Sequence, residues 1–203
     1  NSKNIYVTGS LGVENIYNFL KKKEPFINKF NKLNLNNFFI VNFHSSPKEE
    51  KLINLAIQAL ALCNKRISFL FTSPNIDKGG KNLYKKINCE IKKNYNFLFI
   101  PNLGQDLYFN LLKYAKGVVG NSSSGITEVP IFSIPTLNIG LRQEGRLKSS
   151  SVIDIKNERE IKKLSKIIEK IDKGVFDCNM SGVIFKNNNA SKIIYNKIID
   201  IIK

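Results

Sequence analysis

The chain has 203 residues, 42% of them hydrophobic, which suits one domain with a linker and is enough to fill a core. Its 32 Lys and Arg against 16 Asp and Glu give a net charge of +16, but the lysines are scattered and form no dense basic stripe, so a nucleic-acid partner is not expected. The sparse cysteines Cys63, Cys89 and Cys178 with the single histidine His44 exclude a zinc site, no apolar run reaches the ~18 residues of a membrane helix, and no secretory signal is visible; the expectation is a cytoplasmic chain with no metal, no cofactor and no membrane partner.

Short apolar runs then alternate with helical stripes. Ile5-Tyr6-Val7 is a candidate strand, and residues 12–20 read as a short helix that ends in Lys21-Lys22-Lys23-Glu24-Pro25. Residues 38–43, Phe-Phe-Ile-Val-Asn-Phe, are rich in β formers. Ser46 as N-cap, Pro47 and Glu49 predict a helix start, and Leu52, Leu55, Ala56, Ala59 and Leu62 continue it as an apolar stripe. Strands follow at residues 67–71, 97–100, 117–120, 135–139 and 152–155, and helices at 80–93, 105–115, 125–128, 158–171 and 190–203. Pro130 should stop the third of these helical segments early.

Strand-helix alternation of this kind predicts an α/β fold, a Rossmann-like parallel sheet with helices on both faces. Ligands of such sheets sit outside the carboxyl ends of the strands. The residues to inspect are therefore His44, Ser73 to Asn75, Asn102-Leu103, Asn121 to Ser124, and Gly140 to Arg146.

The strongest local feature is Gly120-Asn121-Ser122-Ser123-Ser124-Gly125. A strand ends, small hydroxylic residues turn, and a helix begins, which brings backbone N–H groups and hydroxyls together as a phosphate cradle. The same serines could merely cap the helix. It is neither a Walker motif nor G-x-G-x-x-G. Glu128 could accept from ribose hydroxyls or compensate the helix dipole. His44 follows a strand directly and could hydrogen-bond a phosphate. Arg142 lies in a polar loop whose arginine forks match phosphate oxygens. Glu14, Glu49, Glu50, Glu158 and Glu160 read as surface or capping residues, so no pair of carboxylates is poised for acid–base work.

From Gly120 to Pro130, Gly-Asn-Ser-Ser-Ser-Gly-Ile-Thr-Glu-Val-Pro, the sequence resembles the hydrolysing UDP-N-acetylglucosamine 2-epimerases of sialic-acid-type sugar synthesis. Phe43-His44 with Pro47, Pro74-Asn75-Ile76-Asp77, Leu111 to Ala115, Asn138-Ile139-Gly140 with Arg142-Gln143 and Gly145-Arg146, Ser151-Val152-Ile153, and Ala190-Ser191-Lys192 agree with further blocks of the family in the same order. The resemblance implies the C-terminal domain of a two-domain, glycosyltransferase-B-like epimerase. Residues 1–23 would be the tail of the first domain or a linker, 24–189 the UDP-binding domain, and 190–203 a helix packing toward the other half. It implies conversion of UDP-N-acetylglucosamine, or a related UDP-N-acetyl sugar, to UDP and N-acetylmannosamine by a homo-oligomer, with the present half inactive alone.

Carried over by residue, the resemblance places Ser122 and Ser123 on the diphosphate, with Gly125 in the same turn. It places Glu128 on the ribose, Arg142 on phosphate, Asn75 in the uridine pocket, and His44 near the diphosphate as the candidate catalytic residue. His44 is followed by Ser45-Ser46, where non-hydrolysing relatives have Arg and Glu-Asn, and Ser124 stands where they have glycine. Both departures favour the hydrolysing branch. Phe185-Lys186-Asn187-Asn188-Asn189 departs from the family's Asn-Pro-Tyr-Gly-x-Gly, so the substrate sugar could differ. The alternatives are a non-hydrolysing epimerase, a glycosyltransferase of the same architecture, or an anion-binding module.

Overall fold

In the computed structural model, which describes residues 5–22, 37–76, 78–176 and 189–202, the short apolar runs become strands of one sheet. They are β1 (Phe38–Asn42), β2 (Ser68–Phe71), β3 (Phe97–Phe99), β4 (Gly117–Gly120), β5 (Thr136–Ile139) and β6 (Val152–Ile155). The order is β3-β2-β1-β4-β5-β6 and every neighbouring pair is parallel. Every residue of β1, β4 and β5 is buried. Central parallel strands are covered on both faces, which is why these runs are continuously apolar and do not alternate.

The two sides of β1 feed two cores. Phe39 and Val41 pack with α2 (Glu50–Ala61), α3 (Gly80–Lys93) and α7 (Leu164–Asp172), through Ile53, Ile57, Leu60, Ile87, Leu164 and Ile168. Phe38 and Ile40 pack with α1 (Leu11–Lys21) and α4 (Gly104–Leu112), through Ile16, Phe19, Phe109 and Leu112. Each fully buried Phe, Leu or Ile removes enough apolar surface to contribute about 1.5–3 kcal/mol. Phe39, Phe69, Phe97 and Phe71 form a run of rings with centroids 4.9–6.0 Å apart along the first core. This is the Rossmann-like layout expected, and its order reverses between β1 and β4. That switch point opens a crevice at the carboxyl ends of those two strands.

Four local differences have physical causes. Residues 5–10 form no strand, and Ile5 and Val7 lie exposed. Three apolar residues followed by Thr8-Gly9-Ser10 cannot cover a sheet edge. Ser46 makes no side-chain cap; Pro47–Glu49 forms a single 3-10 turn and α2 begins at Glu50. The helix expected at 158–171 breaks into α6 (Glu158–Ile161) and α7, although Ile161, Leu164, Ile168 and Ile171 still bury one face. The serine motif starts only the four-residue α5 (Ser124–Thr127), which passes into a 3-10 turn over Val129–Phe132 around Pro130.

α1, in the segment expected to be a tail or linker, is part of the packed body: Phe19 stands edge-on to Phe109 at 5.4 Å. The boundary expected between residues 23 and 24 lies outside the described residues, as do Asp77 and residues 185–188. α8 (Ala190–Ile202) buries only Ala190, and Glu14 of α1 accepts from the Ser191 N–H and hydroxyl at its start, both at 2.7 Å. Those two bonds hold the Glu14 carboxyl below its ordinary pKa. Among the described residues no helix is long and apolar enough to cross a membrane.

Candidate functional site

The site is built on Gly120, where β4 ends. Its φ is +154°, and a Cβ there would stand 2.0 Å from the Asn42 carbonyl oxygen. Only glycine lets β4 pass β1 this closely, and the Asn121 N–H then donates to Asn42 O at 3.2 Å. The Asn121 side chain is fully buried and clamps His44 reciprocally. Its Oδ1 accepts from the His44 N–H at 2.7 Å and its Nδ2 donates to the His44 carbonyl at 2.9 Å. The Asn121 carbonyl in turn accepts from Arg142 Nη1 at 3.0 Å and Gln143 Nε2 at 2.8 Å. One asparagine thus ties the ends of β1, β4 and β5 together.

Two further ties fix the flanks. The Asn75 N–H donates to His44 Nδ1 at 3.3 Å, and Asn75 Oδ1 accepts from the Ser45 N–H at 3.1 Å. With Nδ1 accepting, a neutral His44 imidazole carries its hydrogen on Nε2. Glu49 is not simply a surface carboxylate: its Oε1 accepts from the Leu141 N–H just after Gly140, and its Oε2 is buried. It anchors the loop that carries Arg142 and Gln143 to the entry of α2.

The serine turn is partly used internally. Ser122 O accepts from the Gly125 N–H at 3.2 Å, and Ser123 O accepts from the Ile126 and Thr127 N–H groups. Among the described residues, the N–H groups of Ser122 and Ser123 have no acceptor. Gly125 has a packing role: its N–H is taken, its carbonyl accepts from Thr136 Oγ1, and a Cβ would meet Thr136 Cγ2 at 2.7 Å. Ser124 Oγ donates to Glu128 Oε2 at 2.7 Å and lies 2.7 Å from the Tyr108 hydroxyl. Tyr108 also accepts from Asn42 Nδ2 at 3.3 Å, and Asn42 Oδ1 accepts from Thr72 Oγ1 at 2.7 Å. Burial pushes the Tyr108 phenol well above its ordinary pKa, a change the Ser124 bond only partly offsets, so the ring stays protonated as a donor.

His44, Asn42, Thr72, Ser122, Ser124 and Glu128 line one cleft of about 430 Å³ at the switch point. Of the residues expected in a site, the structure brings His44, Ser122 and Glu128 onto this cleft, with Ser123 in the same turn. Asn75 touches His44, and Arg142 reaches the group behind it. Sequence reasoning missed Asn42, Thr72 and Tyr108. A polar Asn42 inside an otherwise apolar strand was the available signal, since a buried amide must find partners. The cleft offers the Ser122 and Ser124 hydroxyls and the Glu128 carboxylate, with the unaccepted Ser122 and Ser123 N–H groups in the same turn and the Arg142 guanidinium on the Asn121 carbonyl. That arrangement suits an anion joined to a hydroxyl-bearing ring. Among the described residues no group of three His, Cys, Asp or Glu side chains could hold a metal ion.

The family model described as UDP-N-acetylglucosamine 2-epimerase matches residues 1–202. GDP/UDP-N,N'-diacetylbacillosamine 2-epimerase (hydrolyzing) of Campylobacter jejuni is 33% identical over 189 residues, 87% of this chain and 46% of that protein. Polysialic acid biosynthesis protein P7 of Escherichia coli is 33% identical over 160 residues, 76% of this chain and 40% of that protein. The chain spans about half the length of the curated relatives it matches. Among solved structures, the Neisseria meningitidis UDP-GlcNAc 2-epimerase bound to UDP-GlcNAc superposes with a TM-score of 0.71 at 20% identity, over 98% of this chain and 56% of that one. The Methanocaldococcus jannaschii UDP-GlcNAc 2-epimerase in complex with UDP-GlcNAc and UDP gives 0.72 at 17% identity, with the same coverage. These likenesses show the shared glycosyltransferase-B-like fold.

Proposed function

The chain belongs to the UDP-N-acetylglucosamine 2-epimerase family, and on that premise we propose that it holds the UDP portion of a UDP-N-acetyl sugar in the cleft between the ends of β1 and β4. The observation that carries the reading is the convergence of Ser122, His44 and Glu128 on that one cleft, beside two N–H groups that have no acceptor among the described residues. In this reading the Ser122 and Ser123 hydroxyls and N–H groups, with Arg142, hold the diphosphate. Glu128 accepts from the ribose hydroxyls, Asn75 borders the uridine, and the His44 imidazole stands at the diphosphate. Gly125 lets the serine turn approach.

Negative charge grows on the distal phosphate as UDP leaves the sugar. Donors already fixed around it stabilise that transition state more than the ground state. Removal of the C2 proton, which drives out UDP, and the addition of water across the resulting C1–C2 double bond, hydroxyl to C1 and proton to C2, fall to groups in the remaining half of the protein, and this half alone is inactive. The exposed Tyr195, Ile198, Ile201 and Ile202 of α8 meet that half, and the intact enzyme is a homo-oligomer. The hydrolysing branch, giving UDP and N-acetylmannosamine or a related sugar, is supported by two observations. The C. jejuni relative is described as hydrolyzing, and His44 is followed by Ser45-Ser46 with Ser124 in the motif. The sugar itself is UDP-N-acetylglucosamine or a further N-acetylated relative.

Calorimetric titration with UDP, uridine and ADP, repeated with Ser123→Ala and Arg142→Ala, tests the site. Tighter binding of UDP than of both controls, weakened in both variants, is expected; equal binding of every anion would favour a non-specific anion-binding module instead. Release of free UDP from UDP-N-acetylglucosamine by the intact protein is the expected reaction. Formation of UDP-N-acetylmannosamine would place it in the non-hydrolysing branch, and a need for an acceptor would make it a glycosyltransferase.

A further inference from the structure

The hydrogen bonds behind Glu128 run in one direction. Thr72 Oγ1 donates to Asn42 Oδ1 at 2.7 Å, which leaves the Asn42 amide nitrogen to donate to the Tyr108 oxygen at 3.3 Å. Ser124 Oγ spends its single hydrogen on Glu128 Oε2 at 2.7 Å. The 2.7 Å contact between Tyr108 and Ser124 must therefore be donated by Tyr108. Each hydroxyl in the chain has one hydrogen, so the order from Asn42 through Tyr108 and Ser124 to Glu128 admits no reversal while Thr72 and Glu128 hold its ends. Glu128 Oε2 is thus occupied from within the protein. Its Oε1 lies 4.0 Å from where a Cβ at Gly12, in the first turn of α1, would stand.

From this geometry we propose that Tyr108 and Ser124 are positioning residues that make Glu128 discriminate ribose from deoxyribose. Resting on the reading that Glu128 meets the ribose, the inference adds what aims it. One carboxylate oxygen is held, so the other is presented at a fixed angle to the ligand's hydroxyl. A carboxylate free to rotate could follow either hydroxyl, or a water, and would separate the sugars poorly. Networks of this kind polarise along their length, so the Tyr108 hydroxyl, itself on the wall of the cleft, acts on Glu128 through Ser124.

The experiment is calorimetric binding of UDP, 2'-deoxy-UDP and 3'-deoxy-UDP to the intact protein, as wild type, Tyr108→Phe, Ser124→Ala, Ser124→Thr and Glu128→Ala, with the thermal midpoint of each. The wild type should prefer UDP over at least one deoxy analogue by roughly tenfold, the scale of one charge-assisted hydrogen bond. Tyr108→Phe keeps the buried ring, and Ser124→Ala removes a single hydroxyl. Both should cut that preference to about two- or threefold, mainly by weakening UDP and leaving the deoxy analogue little changed. Ser124→Thr, which keeps the hydroxyl, should restore it. A merely structural role would weaken all three ligands together. If Glu128→Ala abolishes the preference while Tyr108→Phe and Ser124→Ala keep it, the relay is refuted and the ribose reading stands. If Glu128→Ala keeps the preference, the ribose reading fails and the relay with it.

Discussion

Removing the Asn121 side chain should cost far more than removing the arginine that sits on the same residue. Asn121 is fully buried and makes two side-chain bonds to His44, at 2.7 and 2.9 Å, one in each direction. A typical hydrogen bond contributes about 0.5–1.5 kcal/mol net, and stripping the partner from a buried group costs about 1–3 kcal/mol. Asn121→Ala takes away both partners at once, so a loss of about 2–4 kcal/mol is expected from urea unfolding. Arg142→Ala removes one bond to a carbonyl that Gln143 still holds, and because Arg142 is exposed its loss should stay below about 1 kcal/mol. Asn121→Asp adds a sign to the test. The new carboxyl can accept from the His44 N–H but faces the His44 carbonyl, so burial and that dipole raise its folded pKa above the unfolded value of about 3.9. Its stability should approach wild type in acid and fall as the pH rises through the folded pKa. An Asn121→Ala protein within about 1 kcal/mol of wild type, or an Asn121→Asp deficit that does not grow with pH, would refute the side-chain clamp as the element that joins the ends of β1 and β4.

Gly120→Ala drives a Cβ to 2.0 Å from the Asn42 carbonyl oxygen on a backbone with φ of +154°; β1 and β4 must part, and denaturant unfolding should show a loss of about 3 kcal/mol or more. Asp154 is raised by burial, but bonds from Lys148 and Asn138 and the charges of Lys148 and Lys156 outweigh this and leave its pKa lowered. A depressed folded pKa stabilises above the unfolded value and is lost as the pH falls through the folded one, so Asp154→Asn should cost at most about 1 kcal/mol at pH 7, solvent screening of the partly exposed pair limiting the loss, and nothing once the pH is well below the folded value. Burial pushes the Cys63 thiol up to about 12, while Cys89 is exposed; in native protein at pH 8 a thiol reagent should label Cys89 and leave Cys63 unmodified until unfolding.

The fold was legible because its signals are local. Phe38 to Val41 is an unbroken apolar run, as a strand buried on both faces must be; the stripe expected over Leu52, Leu55, Ala56, Ala59 and Leu62 found the helix but not its buried face, since Ile53, Ala56, Ile57, Ala59 and Leu60 are buried while Leu62 is exposed. The failures are local as well. Ile5-Tyr6-Val7 has strand composition, yet pairing depends on a neighbour the sequence cannot display. Lys162-Lys163 interrupts a helix whose apolar spacing is undisturbed, so the pattern of buried residues carried across the break. The site divides differently. Ser122, Glu128 and His44 could be placed because strand ends in a parallel sheet point to a shared edge. Glu49 could not, because its partner is 92 residues away in the loop after β5, and a glutamate one turn into a helix start looks like a cap from the sequence alone.

The same distance argument explains why Asn121 carries more of the architecture than the serines that first draw attention to it. Hydroxyls can be satisfied by a ligand, by water or by their own turn, so a row of serines announces a polar surface and little else. A fully buried amide has no such freedom: each of its donors and acceptors must be met by a group the fold supplies. Both side-chain partners of Asn121 are main-chain groups of His44, 77 residues away at the end of β1, while its backbone carbonyl takes Arg142 and Gln143 from the loop after β5. The amide therefore fixes the ends of β1 and β4 against each other before any ligand arrives. Donors set in advance need no reorganisation when charge develops on a leaving phosphate. Under the proposed reading, damage to Asn121 should lower the rate of UDP departure even where UDP still binds, because it loosens the frame that holds those donors in place.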